Sequence, residues 1–230
     1  MLKIPFHVKT PYVALALNYH LPKYFANVWN NASVRAAADG GANRIHSFFN
    51  KGNYKVPDYV SGDFDSIKKD VKVFLEKNGT KLIQTPNQDY SDVQKALNLI
   101  NQKFNKMPVV VLGGYGGRFD QTIGVLNAAL WCEKLDVFLM DQTNIMTWIR
   151  PKHSGVQLPE KWVPVKCGLL PMATPVSQLR TKGLKYEIND SLELGNHISI
   201  RNTAQTPNVS IITSHPVLWT NEIPKDENFL

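Results

Sequence analysis

The sequence predicts an α/β N-terminal domain with a mostly parallel sheet, followed by a C-terminal all-β sandwich domain. Two observations carry this reading. Over the first 150 residues short apolar runs alternate with helical patterns, as expected of strands whose faces are covered by helices. After Pro151 the pattern changes to brief β-prone runs separated by Pro, Gly and Asn. The expected domains are therefore 1–150 and 151–230, with the boundary near residues 149–155.

In the first domain, strands are expected at residues 12–17, 34–38, 58–61, 81–84, 109–112 and 137–140. Between them lie amphipathic helices. Val93, Ala96, Leu97, Ile100 and Phe104 form one apolar stripe over residues 91–104, and Ile67, Val71, Phe74 and Leu75 form another that ends at Gly79. In the second domain, β-prone runs fall at 162–165, 176–180, 184–188, 197–200 and 209–213. Those 80 or so residues suffice for a small sandwich.

Composition excludes several classes. A chain of 230 residues with 43% hydrophobic content can bury one large or two moderate cores. Its longest apolar runs fall far short of a bilayer span. Pro5, His7, Lys9 and Pro11 interrupt the N-terminal segment, so no signal peptide is expected. Cys132 and Cys167 lie far apart without CxxC spacing, which argues against a disulfide framework or zinc knuckle and for a reducing, cytoplasmic location. The net charge of +7 suits an anionic partner. Because the lysines are scattered and no RNP-like aromatic motif is present, nucleic-acid binding through the β domain is the weaker alternative, and neither nucleic acid nor membrane is an expected partner.

The acids are the most informative residues. Asp39 follows the run at 34–38, Asp63 and Asp65 follow 58–61, and Asp92 follows 81–84 through a short loop. In a parallel sheet all strand ends of one polarity share an edge, where open α/β folds collect ligands. Clustered carboxylates repel one another unless a cation sits among them, and an all-oxygen set favours Mg2+ over zinc. In Gly62-Asp63-Phe64-Asp65-Ser66 the two acids share a side if the segment stays extended. The structural alternative is a turn in which Asp65 or Ser66 caps the helix starting near Ile67. Asp92 sits in the first turn of its helix, with Ser91 able to supply the cap, and Gln88 and Asp89 lie in the preceding loop.

A second phosphate-type signal is Gly113-Gly114-Tyr115-Gly116-Gly117-Arg118-Phe119-Asp120, between an apolar strand and a helical segment reaching Trp131. A strand, glycine-rich turn and helix start can bind phosphate through backbone N–H groups. It is neither a Walker A loop nor a GxGxxG fingerprint. Arg118 offers a guanidinium for two phosphate oxygens, and Asp120 either orients it or forms a helix-initiating ion pair with it.

Together, Asp39-Gly40-Gly41-Ala42-Asn43, Gly62-Asp63-Phe64-Asp65-Ser66, Thr85-Pro86-Asn87-Gln88-Asp89-Tyr90-Ser91-Asp92 and the glycine-rich motif through Gln121 resemble the thiamine pyrophosphokinase family in order and spacing. Cys167-Gly168-Leu169-Leu170-Pro171, Thr181-Lys182-Gly183-Leu184-Lys185 and His215-Pro216-Val217-Leu218-Trp219-Thr220 extend the resemblance over nearly the whole chain. Asn87 and Lys166 depart from the family pattern, without removing a metal ligand.

The resemblance implies transfer of diphosphate from ATP to the hydroxyl of thiamine, giving thiamine diphosphate and AMP, in a homodimer whose active sites lie between subunits. It implies Asp39, Asp63, Asp65 and Asp92 around Mg2+ and the ATP phosphates, and Arg118 and Asp120 at the transfer site. Asn43 and Gln88 would contact substrate, and Trp219 would stack on thiamine from the other subunit. Asn202, Thr203 and Ser214 are further hydrogen-bonding candidates. The alternative within this resemblance is a noncatalytic ATP or thiamine sensor.

Overall fold

The computed structural model describes residues 1–7, 10–49, 52, 54–104 and 106–225. In chain order the strands and helices are β1 (Leu2–Lys3), β2 (Val13–Ala16), α1 (Phe25–Asn31), β3 (Val34–Ala38), α2 (Gly41–Phe49), β4 (Tyr59–Gly62), α3 (Lys69–Lys77), β5 (Lys81–Gln84), α4 (Asp92–Lys103), β6 (Val109–Leu112), α5 (Phe119–Trp131) and β7 (Val137–Met140). They continue with β8 (Asn144–Ile149), β9 (Gly155–Gln157), β10 (Val165–Leu170), β11 (Val176–Lys182), β12 (Asn189–Leu192), β13 (Ser199–Ala204), β14 (Asn208–Thr213) and β15 (Val217–Glu222).

The chain divides into two compact units, Thr10–Gln142 and Met1–Lys9 with Thr143–Leu230. The expected boundary at 150 is displaced because β8 pairs along its whole length with β15, from Val217 opposite Ile149 to Glu222 opposite Asn144. The first residues change unit for a similar reason, since β1 pairs in parallel with β9.

In the Thr10–Gln142 unit, six parallel strands run in the order β5-β4-β3-β2-β6-β7. Every residue of β2 and β6 is buried, as their continuous Val, Ala and Leu content requires of central parallel strands, and the Val, Phe, Leu and Met of β7 are buried as well. Helix α4 buries Val93, Ala96, Leu97 and Ile100, four of the five stripe residues. Its start is set by a capping box, in which the Ser91 hydroxyl accepts from Gln94 N and the Gln94 side chain accepts from Ser91 N. Ser91→Ala is expected to cost about 1 kcal/mol, read as a lower urea midpoint at unchanged slope.

The other unit is built from two sheets, β1-β9-β14-β11-β12 and β13-β10-β15-β8. Val209, Ile211 and Thr213 of β14 are buried while alternate residues are more open, the pleat pattern of a sheet with one covered face. Three expected strands move. Trp162 lies in a short 3-10 turn, residues 184–188 form only an isolated bridge at Leu184, and the strand expected at 197–200 runs from Ser199 to Ala204. Polar Asn202 and Thr203 continue that last strand because Asn202 is satisfied inside it.

Candidate active site

The C-terminal ends of β2, β3, β4 and β6 open on one pocket in the Thr10–Gln142 unit, with a volume of about 350 Å³. Its walls include Asn18 and Tyr19 after β2, Asp39 and Gly40 after β3, and Gly113, Gly114 and Gly116 after β6. Ser66, Ser91, Asp92 and Gln121 complete the polar lining. Strand register fixes this convergence, since Ala16 is level with Ala37 and with Leu112, and Ala38 with Ser61.

Asp39, Asp63 and Asp65 come together, each offering a carboxylate oxygen within 4.8 Å of the others'. They converge by a route the sequence did not suggest. The segment is not extended, because Phe64 turns it at φ 66°. Asp65 N then donates to Asp63 Oδ1 at 3.3 Å, and the Ser66 hydroxyl donates to Asp65 Oδ1 at 2.7 Å. Neither Asp65 nor Ser66 caps the next helix, whose N-cap position is Lys68 without a side-chain bond. Asp65 thus remains with the acid cluster.

Asp39 is 3% exposed and also adopts a left-handed backbone, φ 39°, a region that Asp tolerates better than most residues. Ser66 N donates to its Oδ2 at 3.2 Å, whereas its buried Oδ1 has no hydrogen-bond partner. Burial, then a hydrogen bond with Asp65, pushes its pKa up to about 6, and the charge of Asp92 adds in the same direction. An orphaned buried carboxylate oxygen beside two further carboxylates is the donor set that a hard divalent cation satisfies. Gly62 permits this approach, for a Cβ there would lie 2.7 Å from Asp39 Cβ.

The remaining expected residues divide into those that hold the cluster and those that stand apart. Gln88 donates from Nε2 to Asp63 Oδ2 at 2.8 Å, and this hydrogen bond keeps Asp63 below the usual carboxylate range. Asn43 is a clamp on the acidic loop, since its Nδ2 donates to Ser66 O at 2.8 Å and its Oδ1 accepts from Lys68 N at 3.0 Å. Asp92 lines the pocket outside the trio, with Oδ1 2.8 Å from the Nζ of nearly buried Lys95. That lysine, which sequence reasoning missed, also donates to Thr85 O and is detectable as the i+3 neighbour of Asp92.

Arg118 and Asp120 form a two-bond pair, Nε to Oδ1 at 3.1 Å and Nη2 to Oδ2 at 2.6 Å. The pair is exposed and its mutual attraction raises the arginine's pKa and lowers the aspartate's. Its local geometry is that of the helix-initiating ion pair, at the start of α5 beside the glycine-rich loop.

In the β-rich unit, all four candidates are engaged structurally. Asn202 is buried, accepts from Tyr186 N and donates to Tyr186 O at 2.7 Å, so its amide is committed to holding the chain. Trp219 is 1% exposed on a strand between β10 and β8, with Nε1 donating to Asn221 Oδ1 at 2.9 Å. The stacking face expected of it is therefore closed within this chain. Ser214 accepts from Gln178 N and contacts the Ser177 hydroxyl. Thr203 lies opposite Lys166 in the β10–β13 ladder and accepts at its carbonyl from Lys185 N.

Comparison with known proteins finds one family profile within each of the two units. The family profile described as "Thiamin pyrophosphokinase, catalytic domain" matches residues 25–140, and that described as "Thiamin pyrophosphokinase, vitamin B1 binding domain" matches 157–218. The chain is 32% identical over 242 residues to thiamine pyrophosphokinase 2 of Arabidopsis thaliana, spanning 94% of this chain and 88% of the relative. It is 30% identical to thiamin pyrophosphokinase 1 of Caenorhabditis elegans over 86% of this chain and 82% of the relative. The solved structure of thiamin pyrophosphokinase from Candida albicans superposes with a TM-score of 0.84 at 25% identity, covering 97% of this chain and 92% of that one. With both profiles matching in sequence order and a relative above 30% identity aligned over nearly its whole length, the chain belongs to the thiamin pyrophosphokinase family.

Proposed function

We propose that this enzyme transfers the terminal diphosphate of ATP to the hydroxyl of thiamine, with the nucleotide phosphates and Mg2+ held in the pocket of the Thr10–Gln142 unit. The observation that carries the site assignment is the Asp39, Asp63 and Asp65 cluster at the parallel sheet's C-terminal edge, with one buried carboxylate oxygen left unsatisfied. Thiamine recognition is assigned to the β-rich unit, where the second family profile lies. The same reading takes the active form as a homodimer, the second copy completing the thiamine site, as the family resemblance implies.

In the proposed reaction the thiamine hydroxyl attacks the β-phosphorus of ATP in line. The O–P bond to thiamine forms as the bond to AMP breaks, and the hydroxyl proton passes to a carboxylate or water. Bound Mg2+ would neutralise charge on the phosphate oxygens. Asp63 and Asp65, on the loop braced by Gln88 and Asn43, would hold it together with the buried carboxylate of Asp39. Asp92, kept in place by Lys95, is the carboxylate on the pocket wall suited to accept the proton late. The glycine-rich loop presents backbone N–H groups to phosphate, and Arg118, released from Asp120 by a competing phosphate, stabilises the transferring charge.

Phosphorus NMR of the purified protein with ATP, Mg2+ and thiamine tests this directly. Equal amounts of AMP and thiamine diphosphate are expected, with rates falling on the order of 10²- to 10³-fold in Asp63→Asn and Asp65→Asn, as for loss of one preorganised electrostatic group. Binding of both ATP and thiamine without turnover would instead make the chain a sensor.

A further inference from the structure

The glycine-rich loop is held by two side chains outside its own motif. Gly116 and Gly117 both have left-handed backbones, φ 103° and 67°. The phenol ring of Tyr19 lies across them: a Cβ on Gly116 would fall 2.7 Å from Tyr19 Cε1, and one on Gly117 2.7 Å from Tyr19 Cε2. The two edges of one ring therefore span the Gly116–Gly117 peptide. From the first turn of α5, the Thr122 hydroxyl accepts from Gly116 N at 3.2 Å and lies 3.5 Å from Arg118 O.

The segment bearing Tyr19 is itself tied to the loop's base. Leu17 N donates to Leu112 O and Tyr19 N to Leu17 O, both at 2.9 Å. Gly113, φ 68°, sits so close to this segment that a Cβ would meet Leu17 O and Tyr19 O at 3.1 Å each. Tyr19 and Gly116 both line the pocket. A loop of left-handed glycines has little intrinsic preference for one shape and loses much entropy when ordered. A rigid aromatic ring and a hydroxyl anchor reduce that cost before ligand arrives.

We propose that Tyr19 and Thr122 are positioning residues that hold the glycine-rich loop in its phosphate-receiving shape, and so set the affinity for the nucleotide rather than for thiamine. This rests on the diphosphate-transfer reading above. Tyr19 acts by packing and Thr122 by its hydroxyl, so their conservative replacements differ in kind. Tyr19→Phe keeps the ring and Thr122→Ser keeps the hydroxyl, whereas Tyr19→Ala and Thr122→Val remove the acting group.

The test is steady-state kinetics of the full-length enzyme with each substrate varied in turn, together with ATP binding by calorimetry and a thermal melt of every variant. Tyr19→Ala and Thr122→Val are expected to raise the KM and Kd for ATP about three- to tenfold, the size of one lost hydrogen bond or packing contact, with the KM for thiamine within about twofold. Tyr19→Phe and Thr122→Ser recover most of the ATP affinity. Should Tyr19→Ala fail to fold, Tyr19→Leu carries the same comparison. Unshifted ATP constants in both disruptive variants, or parallel rises for ATP and thiamine, would overturn the assignment. A wild-type enzyme that forms no thiamine diphosphate would instead sink the functional reading, leaving the calorimetric comparison to decide the loop's role.

Discussion

Asp39→Asn should abolish most turnover and yet make the metal-free protein more stable at neutral pH. Its carboxyl has a pKa pushed up to about 6 by burial and by Asp65, against an ordinary value of 3.8. A group whose folded pKa is raised contributes stability that is fully present below the unfolded value and is lost as pH rises through the folded one. At pH 7 to 8 the wild-type chain therefore bears the cost of an ionised, buried Asp39, on the order of 2–3 kcal/mol at roughly 1.4 kcal/mol per pKa unit. Asparagine keeps the shape, can still accept from Ser66 N, and can donate toward Asp65 as the protonated acid does.

The expected result in EDTA is a melting temperature several degrees above wild type at pH 7.5, with the difference shrinking as pH falls from 6 to 4. Adding Mg2+ should raise the wild-type melting temperature and leave Asp39→Asn nearly unchanged, because a cation relieves the repulsion that the substitution has already removed. Activity should fall on the order of 10²- to 10³-fold. A variant less stable than wild type at pH 7.5 would show that Asp39 is there for the fold and not kept at the fold's expense.

Gly62→Ala should damage the same site from the opposite direction. A methyl group at this position would meet Asp39 Cβ at 2.7 Å and Asp39 Cα at 3.2 Å. Both are anchored to backbone, for Gly62 ends β4 and Asp39 follows β3, adjacent strands whose register is set by Ala38 opposite Ser61 and by Asp39 N donating to Ser61 O at 2.8 Å. The strain must therefore be relieved by moving the acid-bearing ends of β3 and β4 apart. Overpacking of this kind costs about 1–3 kcal/mol, and displacement of the ligand set by ~1 Å costs on the order of 10²-fold in rate.

The combined change Gly62→Ala with Asp39→Gly removes the opposing Cβ at a position whose φ of 39° suits glycine. It should recover a measurable part of the stability, read as the urea midpoint, while activity stays lost. If Gly62→Ala alone retains wild-type turnover, the close approach of these two strand ends is not needed for catalysis.

Much of the architecture was legible locally. Strands β3, β5, β6 and β7 coincide with their expected residues because each is a short run bounded by polar or turn-forming residues. Helix α4 was legible from its apolar stripe and its serine cap. The β-rich unit was less so. There, polar residues such as Asn202 are buried within strands by bonding to neighbouring backbone, and no period-2 pattern marks them. The site was legible to the extent that an acid following a parallel strand must lie at one edge of the sheet. Asn18 and Tyr19 obey the same rule after β2 and escaped notice because neither carries a charge.

By itself, then, the sequence determined the strands of the first unit and its helices α3, α4 and α5, though not α1 or α2, that its acids and glycine-rich loop share an edge, and which family the order of motifs resembles. These are consequences of local periodicity and of the polarity of parallel strands. Only the tertiary structure decided that Asp39 is buried with a raised pKa, that Asn43 clamps the acidic loop, that Trp219 is enclosed, and that Tyr19 covers Gly116 and Gly117. Ionisation, burial and hydrogen-bond choice depend on distances between segments far apart in the chain, and the left-handed turns at Asp39 and Phe64 are maintained by that packing against their local preference.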